Sequence, residues 1–375
     1  MDGWGDMGRR GTWTGGPGRR RGRGLSLALA VGLAAGPAAA QESLATVSCL
    51  VPDSVSGHLA RIARRVGNDI GITAVHVESG ARVSFNGSRP FPMASVSKVP
   101  MALEYLRRVD AGEIDPSERI VVPITDFRPG HSPLASWSGG RAVHVTIDSL
   151  FGLMIGVSDN TATDVILDLA GGPGAADRRV RDLGVRGVRV DRSEARTFAD
   201  LSGLSDTIPE RELYRYRYFR LRDALPQAHR DTARLRYGTD LRDTATPDGM
   251  ADLLLEVHRG AGLSAASHAR LLVAMTASRS GHRRLKGLLP GSVDVAHKTG
   301  TMAGAVNDVG ILSLPEGRGH LVVAAFINTL HRTTWRRERT IAEMTRVLYD
   351  HFAGRPISET AVQAPVACAR DSAGT

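Results

Sequence analysis

The sequence predicts an α+β fold in which strands near the two ends of the chain enclose a helical middle. Three observations predict it: paired strand-like runs early in the chain, three more near its end, and a long stretch of helical periodicity between them. Asp53 to Val66 has amphipathic helical spacing, with Leu59, Ile62, Ala63 and Val66 on one face. Ile72–Val77 and Ala81–Phe85 read as strands around the turn signal Glu78-Ser79-Gly80. Met93–Val109, Ile147–Gly156 and Asn160–Leu169 read as helices. Val293–His297, Asp308–Leu314 and Leu321–Ile327 read as strands, and Trp335–Phe352 as a long amphipathic helix. No internal repeat is present.

Composition narrows the function. With 42% hydrophobic and 23% charged residues the chain is an ordinary globular protein. Its formal charge of +9 includes six arginines and two aspartates in residues 1–40, and without them 42 basic and 37 acidic side chains leave +5. That bias is too mild to point to nucleic acid. Residues 1–40 read as a secretory signal peptide: a basic stretch Arg19–Arg23, an apolar stretch Leu25–Ala35, then Ala38-Ala39-Ala40. The apolar run is too short for a spanning helix. An uncleaved anchor and a later start at Met7 are the alternatives. Export implies an oxidising compartment, where Cys49 and Cys368 are candidates for a disulfide joining the termini; spacing alone leaves that open.

Lysine usage is the sharpest compositional signal. The chain has 48 strong cations, of which three are lysines: Lys98, Lys286 and Lys298. Arginine stays protonated in proteins, whereas a buried lysine can release its proton and act as a base. A chain so biased toward arginine keeps lysine where arginine cannot serve.

Lys98 ends Ser95-Val96-Ser97-Lys98 at a predicted helix start. Positions i and i+3 share a helix face, so an unprotonated Lys98 can take the proton of Ser95. Alone, this tetrapeptide is more often an ordinary capped helix start. Ser158-Asp159-Asn160 opens another helix. A serine there can pass a proton to a leaving nitrogen and an asparagine can bind an amide, although the tripeptide also reads as an N-cap. Lys298-Thr299-Gly300-Thr301 lies on a predicted strand. Lys298 supplies positive potential, Thr299 a hydroxyl for a carboxylate, Gly300 a close backbone approach and Thr301 an N–H for an oxyanion.

In this order the three motifs are far more specific than any one alone. The chain resembles the class A serine β-lactamase family, within the penicillin-recognising serine hydrolases, from about Ser54 to Phe352. Ser132-Pro133-Leu134, Gly171-Gly172-Pro173 and Asp243-Thr244-Ala245-Thr246-Pro247 support the resemblance. It implies an antiparallel five-stranded sheet flanked by N- and C-terminal helices, with an inserted all-helical subdomain. It also implies a catalytic domain over about 41–354, its α/β part at about 45–92 and 288–354 and its helical part at about 93–287. Residues 355–375 are a tail.

The resemblance assigns roles. Ser95 is the nucleophile, Lys98 or, through a water, Glu194 its base, and Ser158 the proton relay. Arg192-Ser193-Glu194 resembles the start of the family's omega loop, so Glu194 activates the deacylating water and Arg192 pairs with Asp243. Asn160, Lys298, Thr299, Gly300 and Thr301 bind substrate, and Arg284 matches the position from which some members reach the substrate carboxylate. The implied substrate is a small-molecule β-lactam, and the protein is a periplasmic or secreted monomer with no nucleic acid partner. No cofactor or metal is implied, since no His/Cys cluster has ligand spacing. A D,D-peptidase with the same acylation machinery, or a non-catalytic cell-wall binding module, is the alternative.

Three departures from the family pattern stand out. Phe198 occupies the place of an asparagine that shares the water. Asp164 replaces the asparagine that braces the omega loop. Residues of about 199–240 form an insertion in which Arg211, Arg215, Arg217, Arg220 and Arg222 interleave with Tyr214, Tyr216, Tyr218 and Phe219. The insertion reads as a helical hairpin that packs its aromatics on the body and shows its arginines to solvent, with a rim-narrowing role as a hypothesis.

Overall fold

A computed structural model describes residues 54–357. The leader over residues 1–40, Cys49, Cys368 and the tail beyond residue 357 lie outside the described residues.

A five-stranded antiparallel sheet organises the fold. Its spatial order is Arg82–Phe85, Ile70–His76, His320–Asn328, Ala305–Ser313 and Val295–Met302. Both faces are covered, so the central strand is an almost unbroken apolar run, Leu321 to Ile327, all of it buried. Alternation sorts its side chains. Leu321, Val323, Ala325 and Ile327 join the cluster formed with the helices Val55–Ala63 and Thr334–Phe352; Val322, Ala324 and Phe326 face the helical body. The first helix starts where Ser54 accepts a hydrogen bond from Gly57 N, and Thr333 caps the last in the same way at Arg336 N.

On the other face, the helices Lys98–Asp110, Ile147–Gly156, Asn160–Leu169, Pro247–His258 and Ala265–Thr276 share one large core with the sheet. Ile147–Gly156 and Asn160–Leu169 have the predicted bounds. The helix expected from Met93 begins as a 3-10 turn, Ala94–Ser97, and becomes α-helical at Lys98. The strand expected over Val293–His297 runs instead from Val295 to Met302. Lys298, Thr299 and Gly300 lie on it, as the motif reading has them, beyond the apolar run that ends at His297. Pairing with Ala305–Ser313 draws them into the sheet, from Val295 opposite Leu312 to Met302 opposite Ala305.

The insertion is folded. After the helix Glu194–Ser202 come a 3-10 turn, Glu210–Glu212, and two helices, Arg215–Asp223 and Gln227–Tyr237. Tyr218 and Tyr237 are buried as the hairpin reading requires, and Tyr218 Oη lies 2.6 Å from Ser202 Oγ. Tyr216 instead is 48% exposed, and Arg222 lies over the rings of Tyr218 and Phe219 rather than standing in solvent. Stacking the guanidinium there buries its apolar face while its N–H groups keep Asp223.

Phe326, fully buried against Phe91 at 6.1 Å between ring centroids, tests the sheet's role as the base of the core. Phe326→Ala is expected to cost about 3–5 kcal/mol in urea unfolding. Tyr216→Ala, on the exposed side of the insertion, should stay within about 0.5 kcal/mol of wild type.

Candidate active site

Ser95 sits in the 3-10 turn that leads into the helix Lys98–Asp110, and stays partly exposed between buried neighbours. Ala94, immediately before it, has φ of 49° in the left-handed region, a strained state for alanine. Two contacts hold the turn. Asn307 is buried and its Nδ2 donates to Pro92 O at 2.8 Å and Met93 O at 2.9 Å. Gly300 packs so closely on the turn that a Cβ would lie 2.5 Å from Met93 O and 3.2 Å from Val96 N. Only glycine lets the edge strand Val295–Met302 approach Ser95 at this distance.

Lys98 is fully buried. Its Nζ donates to Asn160 Oδ1 at 2.8 Å and Ser158 O at 2.9 Å, and lies 3.3 Å from Ser158 Oγ and 3.2 Å from Glu194 Oε1. Lys298 is also fully buried and donates to Ser158 Oγ and Thr299 O, each at 2.9 Å. Ser158 Oγ therefore accepts from two lysines, and with both lone pairs used its own O–H is free to donate elsewhere. Burial holds the Lys298 ammonium well below its ordinary pKa and the nearby charge of Lys98 lowers it further, against the pull of Glu194 and Asp308.

Ser158 takes a left-handed φ of 63°, which turns its side chain toward the lysines at the end of the helix Ile147–Gly156. Asp159 fixes that turn. Fully buried, it accepts from Leu134 N at 2.6 Å, Ala162 N at 2.9 Å and Ser132 Oγ at 3.1 Å. The Asn160 amide is largely committed, with Oδ1 on Lys98 and Nδ2 donating to Pro129 O at 2.9 Å.

Glu194 opens the helix Glu194–Ser202 behind the N-cap Ser193. The segment is anchored from below by Asp164, which accepts from Glu194 N at 2.7 Å and Ala195 N at 3.0 Å. Aspartate thus braces this segment in place of asparagine, and Arg128 balances its charge at 2.8 Å. The neck of the loop is closed as expected: Arg192 Nε meets Asp243 at 2.5 Å, and its Nη1 meets Asp200 and Asp240 at 2.7 and 3.1 Å. Phe198 turns its ring edge-on to Tyr218 and fills the space beside Gly130, so that position offers no hydrogen-bonding group. A small cavity of about 10 Å³ lies against Ser97, Glu194, Thr197 and Tyr237, room for about one water. A larger cavity, about 620 Å³, lies between this helix and Gln227–Tyr237, with Tyr237 as the wall shared by both.

Thr301 is exposed on the edge strand, and its Oγ1 accepts from Arg284 Nη2 at 2.7 Å. Arg284 is buried, and Nη1 donates to Gly300 O at 3.1 Å and Asn307 O at 2.8 Å while Nε meets Glu338 at 3.2 Å. It reaches the cleft through Thr301 and otherwise ties the strand to the C-terminal helix. Thr299 Oγ1 lies 2.6 Å from Ser280 Oγ. The structure thus gathers Ser158, Asn160, Glu194 and Lys298 around Lys98 on the Ser95 helix, with Thr299, Gly300 and Thr301 along the adjoining strand. Asn307, Arg128, Ser280 and Tyr237 escaped the sequence reading. Each acts across elements, and no local pattern marks it.

The arrangement can support a two-step acyl transfer: a partly exposed serine one turn from a buried lysine, a hydroxyl between two lysine amines, and a carboxylate next to space for water. A family model described as the β-lactamase enzyme family matches residues 55–352. The extended-spectrum β-lactamase PER-1 of Pseudomonas aeruginosa is 28% identical over 271 residues, covering 70% of this chain and 76% of its own. The carbapenem-hydrolyzing β-lactamase KPC of Klebsiella oxytoca is 25% identical over 301 residues, covering 78% and 87%. Among solved structures, an ancestral class A β-lactamase matches with a TM-score of 0.64 at 29% identity, over 80% of this chain and 100% of that one. A β-lactamase from Chitinophaga pinensis matches with a TM-score of 0.65 at 27% identity, over 79% and 98%.

Asp164 gives the site a pH handle. Burial pushes its carboxyl from 3.8 up to about 6, with the charge of Glu194 adding to the rise and Arg128 opposing it. The folded state therefore holds this proton more tightly than the unfolded chain, and its share of stability falls as pH rises through about 4 to 6. Protonation also removes an acceptor from the Glu194 segment. Turnover should lose activity below about pH 6, and Arg128→Met should move that acid limb upward by about one unit, measured as kcat against pH.

Proposed function

The chain belongs to the β-lactamase enzyme family, in its class A serine branch, and we propose that it hydrolyses the β-lactam amide bond through an acyl-enzyme on Ser95. The observation that carries this reading is the position of Glu194, 3.2 Å from the Lys98 Nζ that also meets Ser158. Acylation needs the lysines and Ser158; hydrolysis of the product needs a base for water, and Glu194 is the carboxylate in place to be that base.

Ser95 Oγ attacks the lactam carbonyl carbon, and its proton passes to Lys98, or through a water to Glu194. The N–H groups of Ser95 and Thr301 receive the oxyanion; the close packing of Gly300 on the Ser95 turn supports that pairing. As the C–N bond breaks, the free O–H of Ser158 protonates the departing nitrogen, and a neighbouring lysine replaces that proton. Lys98, carrying the proton taken from Ser95, lies 3.3 Å from Ser158 Oγ and can restore it. Lys298, Thr299 and Thr301, the last oriented by Arg284, receive the substrate carboxylate. Glu194 then takes a proton from water as the water attacks the acyl carbonyl, with Asn160 helping to position it; the tetrahedral adduct collapses by breaking its bond to Ser95 Oγ, and the proton returns from Glu194 to that oxygen. With Phe198 in place of an amide, the water depends on Glu194 and its neighbours alone. Side chains, backbone N–H groups and water carry every step.

The sequence of residues 1–40 supports export by a cleaved signal peptide to the periplasm or medium. Among the described residues no helix is long and apolar enough to cross a membrane. We take the working unit to be the monomer, since one chain supplies every group named above.

The mature protein, a chromogenic cephalosporin and intact-mass spectrometry test the reading. Wild type should turn over without accumulating adduct. Glu194→Gln should lose about 10²–10⁴-fold in kcat and accumulate the acyl adduct on Ser95. A wild-type protein that is itself trapped would place it with the peptidases, and one never labelled would remove Ser95 as nucleophile.

A further inference from the structure

Well away from Ser95, three side chains with metal-binding chemistry meet at one end of the sheet. Glu78 lies in the turn after the strand Ile70–His76, His258 ends the helix Pro247–His258, and His320 opens the strand His320–Asn328. One ligand atom from each lies within 4.8 Å of the others. His320 pairs with Ser313 at the sheet end, four residues along its strand from Ala324, which is level with Val309 and Lys298. The cluster is thus separate from the catalytic groups, and none of its members serves the reaction.

The geometry points to a site for a single borderline divalent cation of the Zn²⁺ type, held by His258, His320 and Glu78. Two imidazoles and a carboxylate are a donor set suited to Zn²⁺ and its neighbours rather than to Mg²⁺ or Ca²⁺, which want oxygen. The two imidazoles face each other with centroids 4.7 Å apart and planes tilted by 50°. Among the described residues the His258 ring has no hydrogen-bond partner, so both its nitrogens are available. His320 Nδ1 and N both donate to Glu78, at 3.1 and 2.9 Å, which holds the carboxylate beside the rings. Gly319 is what allows this approach: a Cβ there would lie 2.0 Å from the Glu78 carboxyl carbon. His76 stands behind, 3.4 Å from Glu78, with its own nitrogens engaged by Ser79 and the Arg318 carbonyl.

Metal–ligand bonds of about 2.0–2.2 Å put tetrahedral ligand atoms roughly 3.4 Å apart. Rotation of exposed side chains closes the present spacing to that value, with water as the fourth ligand. The three ligands come from the turn, the helix end and the strand start, so the ion would pin a helix of the α-helical body to the sheet. Far apart in the sequence, they form no spacing motif.

Untagged mature protein titrated with ZnCl₂ against a chromogenic chelator tests the site. Wild type should bind one equivalent and gain about 2–5 °C in Tm. His258→Ala and Glu78→Gln should each weaken binding at least about tenfold and abolish the Tm gain, while His144→Ala, at an exposed histidine elsewhere, should bind as wild type does. Unchanged cephalosporin turnover in all three variants establishes that they fold. Failure of wild type to bind zinc, or equal binding by His258→Ala and Glu78→Gln, would overturn the proposal.

Discussion

Two fully buried lysines meeting on one serine oxygen set the terms for the rest of this site. Burying two amines that close costs solvation and, where both are charged, mutual repulsion, and it is tolerable only where acceptors meet their N–H groups and a carboxylate is near. The surroundings supply these. Asn160 and the Ser158 carbonyl take protons of Lys98, the Thr299 carbonyl takes one of Lys298, and Glu194 contributes the negative charge. Lysine is required at both points, because arginine could neither fit the geometry nor shed its proton. The scarcity of lysine along the chain thus has a physical cause at these two positions.

The second constraint is the fixing of Glu194 despite a long insertion in its own loop. Asp164 holds the start of the Glu194 helix through two backbone N–H groups, and Arg192 gathers Asp200, Asp240 and Asp243 at the neck. The inserted helices leave and return through that neck, so their length does not displace the carboxylate. They also touch the site from outside: Tyr237 packs with Ala94 and Met302, and Arg215 Nη1 donates to Gly130 O at 3.1 Å. This packing is consistent with the insertion forming part of the active-site rim.

Much of this was legible in the sequence where the controlling interactions are local. Helical spacing located Leu59, Ile62 and Ala63 on the buried face of the first helix, and the bounds of Ile147–Gly156 and Asn160–Leu169 follow from their caps and apolar spacing. What it hid is long-range. The bounds of the strand through Lys298, Val295 to Met302, are set by its pairing with Ala305–Ser313 rather than by its own apolar run. Asp164 looks like the loss of a brace until Arg128, distant in sequence, is seen at its side. Arg284 reads as a contact to the substrate carboxylate, but two of its hydrogen bonds go to the Gly300 and Asn307 carbonyls and it reaches the cleft through Thr301. Asn307 itself, which clamps the turn before Ser95, carries no motif.

The shared hydroxyl makes the account open to direct contradiction. The measurement is the single-turnover rate of Ser95 acylation in Ser158→Ala, followed by quenched-flow mass spectrometry with a cephalosporin. If Ser158 delivers the proton to the departing nitrogen, the adduct still forms on Ser95 but about 10²–10⁴-fold more slowly. An acylation rate equal to that of wild type would show that the hydroxyl between the two lysines takes no part in breaking the C–N bond.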